Sequence, residues 1–212
     1  MFAQAAPLMQ ITERFNRWRF SAEDLAFEWR HRLDLNRPLA HDELTHPRHA
    51  SLAHATSYQG VWCRNVRHLV QQARRCNGRL QRFVDIGSGK GKACFFAAGQ
   101  APFEQIIGLE FSPMLDAVAR SNQQRFGDPR VAFVCGDAAD YRLPDGPNLV
   151  FMFNPFDGVI LERFLLNNLA HFRQHGSVLA YANDIHRSVA RQLGFDTVFR
   201  DPARCISLHR CP

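Results

Sequence analysis

From residue 81 onward, short apolar runs rich in β-branched and aromatic residues alternate with segments of helix length, and this alternation narrows the available folds more than any other feature. Strands are predicted near Gln81 to Ile86, Gln105 to Glu110, Val131 to Cys135, Asn148 to Phe153, Ser177 to Tyr181, Phe195 to Phe199 and Cys205 to His209. Helices fit between them at Lys90 to Gly99, Pro113 to Phe126, Gly158 to Phe172 and His186 to Leu193. Neighbouring parallel strands need crossovers of this length, so the pattern reads as α/β, a doubly wound, Rossmann-like sheet of seven mostly parallel strands. The last two runs have no helix between them. Asp201 and Pro202 supply a turn there, and an antiparallel C-terminal hairpin is predicted to close one sheet edge.

The first 80 residues lack this alternation. Ser21 and Asp24 have capping-box spacing ahead of Leu25, Trp29 and Leu33, which predicts an amphipathic helix burying those three apolar residues. A second helix is predicted from about Gln59 to Cys76, with Trp62, Val66, Leu69, Val70 and Ala73 inward and Arg64, Arg67, Gln71 and Arg75 outward. Asn36 to Pro47 reads as loop.

The charge is uneven. Up to residue 82 there are 13 Arg against seven acids, and residues 60 to 82 hold Arg64, Arg67, Arg74, Arg75, Arg79 and Arg82 with no acid, a run that reads as a solvated helix face or an anion-attracting arm. No segment reaches the ~18 apolar residues of a membrane span. The N-terminus lacks the basic and apolar regions of a signal peptide, and the six cysteines are scattered, so reduced thiols and a cytoplasmic location are expected. The ten histidines are assigned to the surface, and no metal is expected.

The sharpest local signal is Phe83-Val84-Asp85-Ile86-Gly87-Ser88-Gly89-Lys90-Gly91-Lys92, a strand running into a glycine-rich turn and then a helix. A phosphate-binding Walker loop would need Gly at Ile86 and Ser or Thr at Ala93. A dinucleotide loop would need Gly or Ala at Lys92, where helix and strand pack closely. What remains is Asp85-x-Gly87-x-Gly89-x-Gly91, whose glycines let backbone pass close beneath a ligand. Glu110 ends the second strand, where a doubly wound nucleotide site places a carboxylate for both ribose hydroxyls, and Asp137 ends the third. Lys90 and Lys92, the only lysines, are expected to face solvent at the helix start, with Lys90 within reach of a ligand carboxylate.

This acid-and-glycine spacing and element order, over about residues 81 to 212, resemble the class I S-adenosylmethionine-dependent methyltransferases. The chain is similar to bacterial members with an Asp-x-Gly-Ser-Gly-Lys-Gly loop and to the disruptor-of-silencing histone methyltransferases. The resemblance implies S-adenosyl-L-methionine as cofactor, lined by Asp85, Gly87, Ser88, Gly89 and Gly91. It gives Glu110 the ribose, sets Phe111 against the adenine, and has Asp137 and Ala138 hold the adenine edge. Asn154-Pro155-Phe156 resembles the acceptor motif of amino-group methyltransferases with one proline missing, which implies that Asn154 borders the cofactor and, with Phe156, orients the acceptor. Tyr58, Tyr181 and Asn183 are further crevice candidates.

Residues 1–57 are then expected to form a helical arm covering the site, and 58–212 the catalytic domain. Nitrogen is favoured as acceptor, and a small molecule or protein side chain is placed ahead of nucleic acid. Two alternatives stay open: an NAD-linked oxidoreductase, and a non-enzymatic nucleic-acid-binding protein using the basic arm.

Overall fold

A computed structural model describes residues 21–35 and 60–212. Seven strands, β1 (Arg82–Ile86), β2 (Gln105–Glu110), β3 (Val131–Cys135), β4 (Asn148–Phe153), β5 (Val178–Ala182), β6 (Asp196–Asp201) and β7 (Ile206–Arg210), form one sheet ordered β3-β2-β1-β4-β5-β7-β6. β1 to β5 run parallel, and β7 is antiparallel to both β5 and β6. The predicted hairpin is present. Asp201 caps the short 3-10 turn Pro202–Arg204, accepting from the Ala203 and Arg204 N–H groups, and Cys205 turns the chain back at φ 51°.

The helices are α1 (residues 21–31), α2 (Cys63–Cys76), α3 (Lys92–Ala98), α4 (Pro113–Phe126), α5 (Gly158–His175) and α6 (Arg187–Gln192). Strand residues alternate between two apolar layers, as a sheet covered on both faces requires. Phe83, Leu149, Phe151 and Ala180 join Val66, Leu69 and Phe95 on one side, while Val84, Val150, Met152 and Leu179 join Leu161, Phe164 and Ala190 on the other. The chain runs outward from β1 to β3 and then resumes at β4 on the other side of β1, so the switch in strand order lies between β1 and β4. In open sheets the ligand crevice forms at the carboxyl ends beside such a switch.

Local signals set the helix ends. Ser112 accepts from the Leu115 N–H ahead of Pro113, Asp157 accepts from the Val159 and Ile160 N–H groups, and Gly127 and Gly176 end α4 and α5 in the left-handed region. α3 starts at Lys92, two residues later than predicted, because Gly89 and Gly91 take positive φ in the turn. α5 runs three residues beyond Phe172, to His175, where Gly176 caps it.

The reading of α1 is corrected. Ser21 is already helical, and Leu25 and Trp29 are 58% and 82% exposed. The buried positions are Asp24, Leu33 and Leu35, with Phe27 half-buried against Phe96. The face turned inward is the one whose carboxylate finds a buried cation. α2 starts at Cys63, four residues later than the predicted Gln59, because Trp62 ahead of it is extended. The predicted loop from Asn36 to Pro47, Tyr58 and the 57/58 boundary lie outside the described residues.

Candidate active site

The loop leaving β1 lies against β2 and the segment after β4. Gly87 and Ser88 N–H groups both donate to the Leu109 carbonyl at 2.9 Å. Gly87 has φ 75°, and a Cβ there would lie 2.2 Å from Pro155 Cβ; at Gly91, with φ 88°, it would lie 2.5 Å from the Phe133 ring. Side chains at these two positions are therefore excluded by both dihedral and space. The contact at Gly87 sets the glycine turn directly beside Asn154-Pro155-Phe156. Ser88 Oγ is buried without a hydrogen-bond partner among the described residues.

Glu110 closes the other side. It is 7% exposed, with Oε2 accepting from the Gly89 N–H at 2.7 Å and Oε1 from the Ser112 N–H at 2.8 Å. Burial raises its pKa, and the Ser112, Gly89 and Phe111 backbone donors oppose that rise. Phe111 follows half-buried. The Glu110 carbonyl accepts from the Gly136 N–H at 2.9 Å, which brings the Asp137 turn alongside. Asp137 accepts from the Ala139 N–H at 2.8 Å, and Ala138 is buried. The loops after β1, β2 and β3 thus meet at one sheet edge.

Asp85 lies beneath the glycine turn on the α3 face, 3% exposed, with the Cys94 thiol donating to Oδ2 at 3.7 Å. Burial pushes its pKa up to about 8; the thiol contact works against this and the Glu110 charge adds to it. Between 3.8 and about 8 the folded chain holds a proton that the unfolded chain has lost, so the ligand-free protein is expected to lose stability as pH rises through that window. Urea unfolding from pH 4 to 8 measures the slope. Asp85→Asn, which cannot titrate, is expected to flatten it, and an unchanged slope in a folded variant would assign it to another group.

Beyond β4, Asn154 is 8% exposed and holds φ 44°, and its Oδ1 accepts from the Tyr181 hydroxyl at 3.0 Å. Phe156 is also buried at 8%. Tyr181, from β5, is 1% exposed, and burial raises the pKa of its phenol. The Tyr181 hydroxyl therefore fixes the Asn154 amide. Asn183 has φ 53° and is half-buried, and Asp184 beside it is held by Arg187 and Arg200.

The two lysines do not face solvent, which corrects the expectation. Lys90 is 1% exposed and Lys92 4%. Lys90 Nζ donates to Asp34 Oδ1 and Lys92 Nζ to Asp24 Oδ2, each at 2.7 Å. Asp24 also accepts from the Cys63 N–H at 3.0 Å, and Asn122 of α4 bonds the Asp34 backbone and the Lys90 carbonyl. Residues 21–35 are thereby fastened to the glycine turn. Sequence reasoning missed Asp24, Asp34 and Asn122; the one available signal was that a chain of 24 arginines places its two lysines in this turn.

The basic run is only partly solvated. Arg75 and Arg79 are exposed, while Arg67 pairs with Glu23 over the Phe96 ring and Arg82 donates to the Asp145 carbonyl. Among the described residues no helix is long and apolar enough to cross a membrane.

Residues 83–176 match the family described as Methyltransferase domain. A trans-aconitate 2-methyltransferase from Methylobacterium radiotolerans is 30% identical over 97 residues, or 46% of this chain and 35% of that relative, so the chain spans only about a third of its length. Among solved structures, the ribosomal protein L11 methylase of Lactobacillus delbrueckii superposes with TM-score 0.52 at 14% identity over 68% of this chain and 77% of that one. The glycopeptide N-methyltransferase MtfA, complexed with S-adenosyl-L-methionine, gives TM-score 0.55 at 14% identity over 70% and 94%. The cyclase SpnF gives 0.52 at 15% over 75% and 86%. The likeness is one of fold, which a cyclase shares. Residues 83–176 match a methyltransferase domain, and the seven-stranded sheet that carries them has the Rossmann-like methyltransferase fold.

Proposed function

We propose that this protein is an S-adenosyl-L-methionine-dependent methyltransferase acting on a nitrogen acceptor. The observation that carries the reading is the meeting of the glycine turn, Glu110 and the Asp137 turn at the carboxyl ends of three adjacent parallel strands. The domain match over residues 83–176 supports it. The residues present fit such a cofactor: Ser88 Oγ is a buried polar atom in want of a partner, and Glu110 retains acceptor capacity, since a carboxylate offers about four lone-pair sites.

In this reading Glu110 takes the ribose hydroxyls, Asp85, Gly87, Ser88, Gly89 and Gly91 form the floor, and Phe111, Asp137 and Ala138 flank the adenine. The cofactor supplies an activated methyl on sulfonium, so the chain's own task is to place a lone pair in line with it. Asn154, with Phe156 beside it, performs that positioning, and Tyr181 holds the Asn154 amide in place. The N-terminal arm, residues 1–57, covers the site, an assignment supported by the two ion pairs from residues 21–35 to the glycine turn.

Calorimetry with S-adenosylhomocysteine tests the reading. Wild type is expected to bind it, and Glu110→Ala to bind at least about tenfold more weakly while still folded, since hydrogen bonds to a charged acceptor contribute about 1.5 to 3 kcal/mol. Thermal stabilisation by NAD alone would replace the reading with the oxidoreductase one.

A further inference from the structure

We propose that His171, His175 and Asp145 form a binding site for a borderline divalent transition-metal ion of the zinc class, at the sheet edge opposite the glycine turn. His171 and His175 lie one turn apart at the end of α5, with ring centroids 4.6 Å apart. Asp145 precedes β4, and its Oδ1 lies 4.0 Å from His175 Nε2. One ligand atom from each of the three falls within 4.8 Å of the others. A tetrahedral zinc site needs separations of roughly 3.3 Å, given zinc–nitrogen bonds near 2.0 to 2.1 Å. Asp145 is fully exposed and the His175 side chain is 30% exposed, so both have room to close that gap.

His171 is the fixed member. Its Nε2 lies 2.9 Å from Ser177 Oγ and 3.0 Å from Asn148 Nδ2, and both of those residues are fully buried. These two contacts orient the ring and turn Nδ1 outward as the ligand atom. Because the Asn148 amide can only donate, Nδ1 carries the ring proton in the metal-free protein, and metal binding moves that proton to Nε2, where the Ser177 hydroxyl accepts it. Two imidazoles and one carboxylate suit zinc, nickel or copper rather than magnesium or calcium. The site also lies at the carbonyl end of α5, where the helix dipole favours a cation.

His171-x-x-x-His175 is a metal-ligand spacing that the assignment of all histidines to the surface passed over. Its effect is structural: a bound ion staples the connection between β3 and β4 to α5, and that connection includes Asp137 and Ala138 near its start. The reaction itself needs nothing from it.

The test uses the full chain, stripped with a chelator, because its other histidines and its cysteines are competing ligands. Substoichiometric Cu²⁺ is expected to broaden amide signals of residues 143–148 and 170–177 first. Zn²⁺ is expected to reverse that broadening and Mg²⁺ to leave it. His175→Gln combined with Asp145→Asn, both near the surface, is expected to keep the fold, abolish the local broadening and weaken Zn²⁺ binding at this site by at least about tenfold. Equal local broadening in the double variant, broadening confined to other parts of the chain, or none, each overturns the proposal.

Discussion

Lys92→Met is expected to lower the free energy of unfolding by about 3 to 5 kcal/mol, the range for removing one partner of a buried ion pair. Lys92 is 4% exposed and Asp24 5%, so the variant leaves a carboxylate in an apolar layer with its cation gone. An exposed pair would be worth less than about 1 kcal/mol, and burial decides between the two magnitudes. Asp24→Asn combined with Lys92→Met is expected to regain much of the loss, because the amide oxygen still accepts from Cys63 N–H and no carboxylate remains at position 24. Urea unfolding of wild type, both single variants and the double variant gives the coupling directly. Additive losses would mean that the pair does not act as a unit. The matching pair, Lys90 with Asp34, is expected to contribute less, since the Asp34 side chain is 47% exposed and partly screened. If residues 21–35 cover the site as proposed, S-adenosylhomocysteine is expected to bind Lys92→Met more weakly than wild type even below the unfolding transition.

Asn154→Ala is expected to lower methyl transfer on the order of 10²-fold while cofactor affinity stays near wild type, the magnitude seen when one preorganised donor or acceptor is lost. Two structural effects accompany the substitution. Asn154 holds φ 44°, where Ala costs roughly 1 to 2 kcal/mol, and truncation removes the acceptor of the buried Tyr181 O–H. Asn154→Gly separates them, because Gly adopts that dihedral without strain. A positioning role predicts that Gly and Ala variants lose turnover alike, with Gly the more stable. A turn role predicts that Gly restores activity. Asn154→Asp keeps an acceptor for Tyr181 and for a reacting amine, so partial retention of turnover would favour nitrogen as the acceptor atom. Full activity in Asn154→Ala would remove this residue from the acceptor side.

Much of this architecture was legible because its signals are local. Strands buried on both faces show as unbroken apolar runs, and helix limits show as Ser112-Pro113, Asp157-Gly158 and Gly127, whereas the predicted end of α5 falls three residues short of His175. The parallel direction of β1 to β5 follows from crossover-length connections, and the C-terminal hairpin follows from Asp201-Pro202. In each case the cause lies within a few residues of the effect, in a dihedral, a cap or a period.

The candidate site divides the same way. The glycine turn and the acids at the ends of β1, β2 and β3 were determined by the sequence alone, since spacing along alternating strands dictates which residues reach one sheet edge. Tertiary structure decided the rest: that Leu25 and Trp29 face outward while Asp24 is buried, that both lysines point inward, and that Tyr181 holds Asn154. A charged residue is stable inside only where its partner arrives, and for Asp24 and Lys92 that partner lies 68 residues along the chain. No periodicity within α1 carries that information. The burial of such a group depends on the free energy of a pair, and the pair exists only once the fold has formed.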